Sequence, residues 1–285
     1  MRTLHEALDQ RVLLADGSLA RRLRSLDLDP RRDYWGATDC VEVLNVTRAT
    51  LVREGHEAFL RAGADVIRTN TLAASPLSLA RHGLADEAFA INHCAAQVAC
   101  EAVDAVPGRG RRRFVLGVVR DQGWEAAPVE IEQAVALQVE ALLSGGVDAV
   151  ALDITPGVGR APMFLRGARK AKALLGALAP VLLLRGDGTV EFSDHAHGMA
   201  DGVVRYRHGQ TTGSDWLARA IGDERVNLIG GGGTPADTAT IDRLLRAASD
   251  DGLRPWTAWR RPAVVDEVTP PSSSLTLDPA MMATA

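Results

Sequence analysis

A parallel α/β barrel is the fold class that the sequence predicts, on three observations. Seven short runs rich in leucine or β-branched residues alternate with amphipathic stretches, the pattern of repeated βα units laid around parallel strands. Two of these units share their punctuation: Ala62-Gly63-Ala64-Asp65 leads into Val66-Ile67, and Gly145-Gly146-Val147-Asp148 leads into Ala149-Val150. The chain has 285 residues, 46% hydrophobic and 24% charged; eight such units need about 250 residues, and residues 11–250 fit that size.

The strands are expected at Val12 to Ala15, Asp65 to Asn70, Phe114 to Val119, Ala149 to Asp153, Val181 to Leu184, Val203 to Tyr206 and Val226 to Ile229. The first helix with a clear apolar face runs from Leu51 to Arg61, where Leu51, Val52, Phe59 and Leu60 recur at helical spacing and Gly63 supplies a left-handed stop. Cys94 and Cys100 fall on a second, among Ala95, Ala96 and Val98. Glu130 to Leu143 forms a third, with Ile131, Val135, Val139 and Leu142 on one face and Gly145-Gly146 at its end. From Arg260 onward Pro262, Pro270, Pro271 and Ser272 to Ser274 cannot build a packed element. The expected division is a barrel over residues 1–259 and a flexible tail over 260–285.

A net charge of −4 gives no reason to expect nucleic acid or an anionic membrane as partner. The one basic cluster, Arg109 with Arg111 to Arg113, directly precedes the run Phe114 to Leu116 and reads as a solvated loop entering a strand. No run approaches the roughly 18 to 20 apolar residues that cross a bilayer, and Met1 to Gln10 has no apolar segment of signal-peptide length. A cytoplasmic location is expected. The three cysteines, all before residue 101, argue against a disulfide framework.

In a parallel barrel, chemistry sits where the strands end at their C-terminal side. The residues there are Asp16 and Gly17, Arg68 to Thr71, Arg120 and Asp121, Asp153, Arg185 and Asp187, His208, and Gly230 to Gly233. They make a polar ring carrying both signs of charge.

The run Leu14-Ala15-Asp16-Gly17, then Cys40-Val41-Glu42-Val43-Leu44-Asn45-Val46-Thr47-Arg48, resembles the opening of the homocysteine S-methyltransferase family. The likeness continues through His56-Glu57-Ala58-Phe59-Leu60-Arg61-Ala62-Gly63-Ala64-Asp65-Val66-Ile67, Thr69-Asn70-Thr71 and Ala90-Ile91-Asn92, with weaker echoes at Val226 to Pro235. The resemblance implies a TIM-like (β/α)8 barrel that binds a thiol amino acid beside zinc. That zinc is held by one cysteine after the sixth strand and an adjacent pair in a glycine-rich turn after the eighth. Zinc keeps the substrate thiol as the thiolate that attacks a methyl group.

Two departures stand out. The turn Gly230-Gly231-Gly232-Gly233-Thr234-Pro235 holds no cysteine, and Cys40, Cys94 and Cys100 all lie in the N-terminal half. The ordinary zinc–thiolate site is therefore expected to be absent, with no cofactor in its place, and the cysteines read as small buried apolar residues. Between Gly186 and Val226 the family has two βα units, whereas here one strand and one helical stretch, Trp216 to Ile221, are legible. One βα unit is expected to be lost or degenerate, leaving a strand edge that the tail or a protein partner covers.

By the same resemblance, Asp16 and Gly17 lie against the amino-acid substrate. Asp153 falls where relatives place a glutamate that meets the substrate amine. Thr69, Asn70, Gly230 and Gly231 complete the expected substrate site. At Arg68 the family has glutamate or glutamine, so the sign is reversed; this arginine either binds an anionic substrate group or pairs with Asp16 or Asp153 and neutralises the pocket. The glycine turn offers backbone N–H groups to an anion near Ala236. Three functions follow as alternatives. They are a methyltransferase or related small-molecule enzyme working without the three-cysteine zinc, a non-catalytic binding or scaffold protein, and a metal-dependent enzyme using His195 and His197 with nearby Asp187, Asp194, Asp201 and His208.

Overall fold

The computed structural model describes residues 3–108, 111–154, 159–185, 200–208, 216 and 226–250. In chain order the elements are α1 (Leu4–Gln10), β1 (Leu13–Leu14), α2 (Leu19–Arg24), α3 (Leu44–Thr47), α4 (Ala49–Arg61), β2 (Val66–Arg68), α5 (Pro76–Leu79) and α6 (Ala88–Ala105). They continue as β3 (Phe114–Arg120), α7 (Pro128–Ser144), β4 (Ala149–Asp153), α8 (Ala161–Leu175), β5 (Val181–Arg185), β6 (Gly202–His208), β7 (Leu228–Gly230) and α9 (Pro235–Asp250).

The seven strands among the described residues form one parallel sheet in the order β1-β7-β6-β5-β4-β3-β2. Its two ends touch. Ala15 bridges Val66, the Asp16 N–H donates to the Val66 carbonyl at 2.8 Å, and the Asp65 N–H donates to the Leu14 carbonyl at 2.8 Å. Every strand thus has a neighbour on both sides. Among the described residues the unpaired edge expected between Gly186 and Val226 is not found, because β5, β6 and β7 hydrogen-bond in succession. The strand expected at Val12 to Ala15 is shorter than its apolar run: Leu13 and Leu14 pair with β7, while Ala15, whose N–H still donates to the Ile229 carbonyl at 2.7 Å, bridges Val66 of β2. The other six overlap their predicted runs, although β2 keeps only Val66–Arg68 of Asp65 to Asn70 and β7 begins at Leu228 rather than Val226. His195 and His197, the residues after Trp216 in the expected helical stretch, and the tail over 260–285 lie outside the described residues.

Alternation along the strands builds two apolar layers. Phe114, Leu116 and Val118 of β3, Ala149 and Ala151 of β4, Val66, Leu182, Val204 and Leu228 face inward. There they meet Leu4, Ala7 and Leu8 of α1, which closes the N-terminal end of the strands. Val115, Val119, Val150 and Leu152 face outward onto Ile131, Val135, Val139 and Leu142 of α7 and Phe164, Leu165 and Ala168 of α8. The helices begin and end as their sequences dictate. Thr3 and Glu6 form a reciprocal cap on α1, and the Glu130 carboxylate accepts the Ala127 N–H at 2.8 Å at the start of α7. Gly63, at φ +113°, turns the chain from α4 toward β2. Among the described residues no helix is long and apolar enough to cross a membrane.

Candidate functional site

The inward register that buries Val66, Val118, Ala151, Val204 and Leu228 carries on to the C-terminal ends of the strands. It aims Arg68, Arg120, Asp153 and Tyr206 at one mouth. A cleft of about 440 Å3 opens there, lined by Asp16, Arg21, Arg68, Arg120, Tyr206 and Gly233 among others.

Of the two alternatives for Arg68, the pairing with Asp16 is the one observed. Its Nε donates to Asp16 Oδ1 at 2.8 Å and its backbone N–H to Asp16 Oδ2 at 3.2 Å. Its Nη2 donates to the carbonyls of Asp16 and Gly17 at 3.0 and 3.1 Å. The guanidinium lies 5.3 Å from the centre of the Tyr206 ring, a cation–π contact. Burial pushes the Asp16 carboxyl above its ordinary value and Arg68 opposes that shift. Burial alone would lower Arg68, but Asp16 and Tyr206 raise it. The pair is a closed unit rather than two free ligands.

Asp153 meets a guanidinium too. Arg120, its register partner across β3 and β4, donates from Nε to Asp153 Oδ2 at 2.6 Å. Thr69 and Asn70 border the cleft, yet their polar atoms serve the scaffold. The Thr69 hydroxyl is 2.7 Å from that of Thr71 and accepts the Val118 N–H at 3.1 Å. Asn70 Nδ2 donates to the Val41 carbonyl and to Asn45 Oδ1 at 2.9 and 3.1 Å.

The glycines of the turn are there because side chains would not fit. The Tyr206 hydroxyl occupies the place a Gly230 side chain would take, and Gly17 packs against Phe59 and the Gly232 carbonyl. A Cβ on Gly231 would lie 2.6 Å from the Ala15 carbonyl oxygen and against the Thr238 hydroxyl, which donates to the Gly231 carbonyl at 2.7 Å. Backbone cannot retreat cheaply, so Gly231→Ala is expected to cost about 1–3 kcal/mol of unfolding free energy, read from urea titration. The equivalent change at Gly123, which has open space around it, tests left-handed strain alone.

The backbone N–H groups proposed as an anion cradle already have a partner: Gly233 and Thr234 donate to Asp237 Oδ2 at 3.1 and 2.9 Å. Asp237 caps α9 from within, so this part of the expectation is corrected. The cleft's open cation is instead Arg21. Its guanidinium lies against Gly233, and no ion pair holds it among the described residues. The sequence did carry a signal for it. Ser18 stands where an N-cap belongs, ahead of Leu19 and Leu23 spaced four apart, and its hydroxyl accepts the Arg21 N–H at 3.3 Å.

The three cysteines stand apart from the mouth. Cys40 is buried as expected, whereas Cys94 and Cys100, on α6, are only half-buried because they sit toward the helix surface. Burial and the neighbouring Glu42 push the Cys40 thiol up to about 12, and burial with Asp148, Asp104 and Glu101 pushes Cys100 up to about 11. Both remain neutral thiols, the form that neither attacks nor ligates. No group of three or more His, Cys, Asp or Glu side chains converges among the described residues. The two carboxylates at the mouth among the described residues are each bonded to an arginine, and a zinc ion there would face the guanidinium groups of Arg21, Arg68 and Arg120. These residues do not fit a dication.

Comparison with known proteins agrees with this architecture. The family model described as homocysteine S-methyltransferase matches residues 13–183. The methionine synthase of Mycobacterium tuberculosis is 27% identical over 195 residues, covering 62% of this chain and 15% of its own length. That of Mycobacterium leprae is 27% identical over 197 residues, covering 63% and 15%. This chain therefore spans about a seventh of the length of the curated relatives it matches. Among solved structures, the homocysteine methyltransferase MmuM from Escherichia coli in its metallated form superposes with a TM-score of 0.60 at 24% identity, over 82% of this chain and 96% of that one. Its oxidized form gives 0.59 at 20% identity, over the same shares. The fold is that of the MmuM barrel, and the chain belongs to the homocysteine S-methyltransferase family.

Proposed function

We propose that this chain is a family barrel without thiolate chemistry, whose mouth binds a small amino-acid-like molecule through its carboxylate. The observation that carries this reading is the state of the charges. Asp16 and Asp153 are each bonded to an arginine, while Arg21 faces the same cleft with no carboxylate partner among the described residues. A ligand's carboxylate supplies what Arg21 lacks, and Arg120, whose side chain is 42% exposed, can share its second edge with the same group.

The chemistry of the thiol points the same way. A free thiol has a pKa of about 8.5 and is mostly protonated at neutral pH. Lowering it takes a metal or an adjacent base, and no cysteine follows Cys100 in the sequence to hold the family's zinc. The reading is of a binding protein rather than a thiol methyltransferase.

The test combines two measurements. Methionine formation from homocysteine, with betaines, methylated amines and folates as donors, should stay at background with and without added zinc. Thermal shift should show stabilisation by carboxylate-bearing amino acids and none by the matching amines, weakened by Arg21→Ala. Turnover accompanied by stoichiometric zinc would overturn the proposal, and equal shifts from acids and amines would remove the role of Arg21.

A further inference from the structure

At the end of the strands opposite the mouth there is a second cleft, of about 360 Å3. It lies between the α4–β2 turn, the start of β3 and α9, and arginines line it: Arg61, Arg111, Arg113, Arg243 and Arg246. In this architecture conservation or polarity at that face ordinarily serves stability, so the first question is whether internal pairing accounts for the charge.

Part of it does. Each carboxylate in or beside the cleft has one hydrogen-bonded arginine. Arg11 binds Asp65 through both nitrogens at 2.8 and 3.0 Å, Arg246 binds Asp242 likewise at 2.8 and 3.0 Å, and Arg61 binds Glu57 at 2.6 Å. Arg113 donates to the carbonyls of Leu60 and Val106, at the C-terminal ends of α4 and α6, where a cation answers the helix dipoles.

Arg111 and Arg243 are left over. Arg111 makes only the longer ion pairs, 3.5 Å from Asp65 and 3.6 Å from Asp242, with two carboxylates that already hydrogen-bond another arginine. Among the described residues Arg243 donates only to the Thr240 hydroxyl, at 3.2 Å. Among the described residues their guanidinium groups are in excess over the carboxylates they face, in a cleft where the absence of a side chain on Gly63 leaves room for Asp242.

We infer that this cleft is a binding site for a small molecule carrying a di- or triphosphate. A phosphate presents several oxygens in the geometry a guanidinium fork matches, and two or more phosphates bring enough charge to balance Arg111 and Arg243 together. A monocarboxylate of the kind assigned to the mouth would balance one of them. The site is separate from that mouth, being built on the opposite ends of β2 and β3.

The test is calorimetric titration of the full chain with inorganic pyrophosphate at fixed ionic strength, since exposed charge pairs are screened by salt. Saturable binding of one equivalent is expected. Arg243→Glu should weaken it by about tenfold or more, Arg243→Lys should retain most of it, and Arg21→Glu, at the mouth, should leave it unchanged. Absence of binding by the folded chain overturns the inference. So does binding that survives Arg243→Glu or disappears with Arg21→Glu, and so does a single-stranded RNA oligonucleotide that binds through Arg243 more tightly than pyrophosphate.

Discussion

Replacing Arg68 by methionine is expected to lower the unfolding free energy by about 3–5 kcal/mol, the cost of leaving one partner of a buried ion pair behind. The Asp16 side chain is 2% exposed and that of Arg68 is 22% exposed, so solvent does little to compensate. The substitution also strips the Gly17 carbonyl of a donor, whereas the Asp16 carbonyl retains the Gly231 N–H at 3.2 Å. A second variant that joins Asp16→Asn to Arg68→Met removes both charges and should recover most of the loss. Urea titration at neutral pH decides the matter. A loss below about 1 kcal/mol in the single variant would mean that the pair is solvated after all.

The same variant carries a pH signature. Burial already raises the Asp16 carboxyl, and without Arg68 nothing of comparable strength opposes it. A carboxyl with a raised folded pKa contributes stability at low pH and loses it as pH rises through that value. The gap between Arg68→Met and the wild type should therefore narrow on acidification.

Acid should also act on the wild type through His56. This residue sits on α4 with no exposure, and neither ring nitrogen has a hydrogen-bond partner among the described residues. Burial lowers its pKa to about 3. The native state then holds the ring neutral while the unfolded chain takes up a proton near the ordinary value of about 6.5. Stability from this group is present above about pH 6.5 and drains away as pH falls toward about 3, by roughly 5 kcal/mol over the whole window and about 2 kcal/mol by pH 5. His56→Leu removes the titration together with an unsatisfied polar group, so it should be near neutral in stability at pH 7 and markedly better than wild type at pH 5. Parallel urea midpoints for the two proteins between pH 7 and pH 5 would remove His56 as the cause.

The strands were legible because a buried parallel strand is a continuous run of large or β-branched apolar residues, and Phe114 to Val119 or Ala149 to Asp153 are such runs with turns on either side. Helix α7 was legible from the spacing of Ile131, Val135, Val139 and Leu142, although its start lies at Pro128, where proline is tolerated in the first turn. The candidate site was legible as a set of positions and not as a set of partners. Sequence order places Asp16, Arg68, Arg120 and Asp153 at strand ends; which charge meets which depends on register, since Arg120 reaches Asp153 only because β3 and β4 pair it there. Tyr206 reads as an ordinary strand residue until Gly230 makes room for its hydroxyl. Arg111 belongs to the basic cluster expected to be a solvated loop entering β3, yet its side chain is only 35% exposed and lines the second cleft; what the local sequence does not show is that α9 brings Arg243 to it.

The contacts of β1 bear on how the chain comes to be folded. Leu13 and Ala15 donate to the carbonyls of Asn227 and Ile229, at 3.0 and 2.7 Å, so of the described strands the first in sequence is bonded on one side to the last. In a nascent chain that ends before Val226, the hydrogen bonds left to this segment among the described residues are those of Leu14 with Asp65 and of Asp16 with Val66. The loop closed by β7 is the longest in the sheet, and its entropy must be met before its hydrogen bonds repay it. Until the ribosome has released the segment around Leu228, the N-terminal strand waits with one side unbonded, and the interval during which Leu13 and Leu14 are open to mispairing is set by translation.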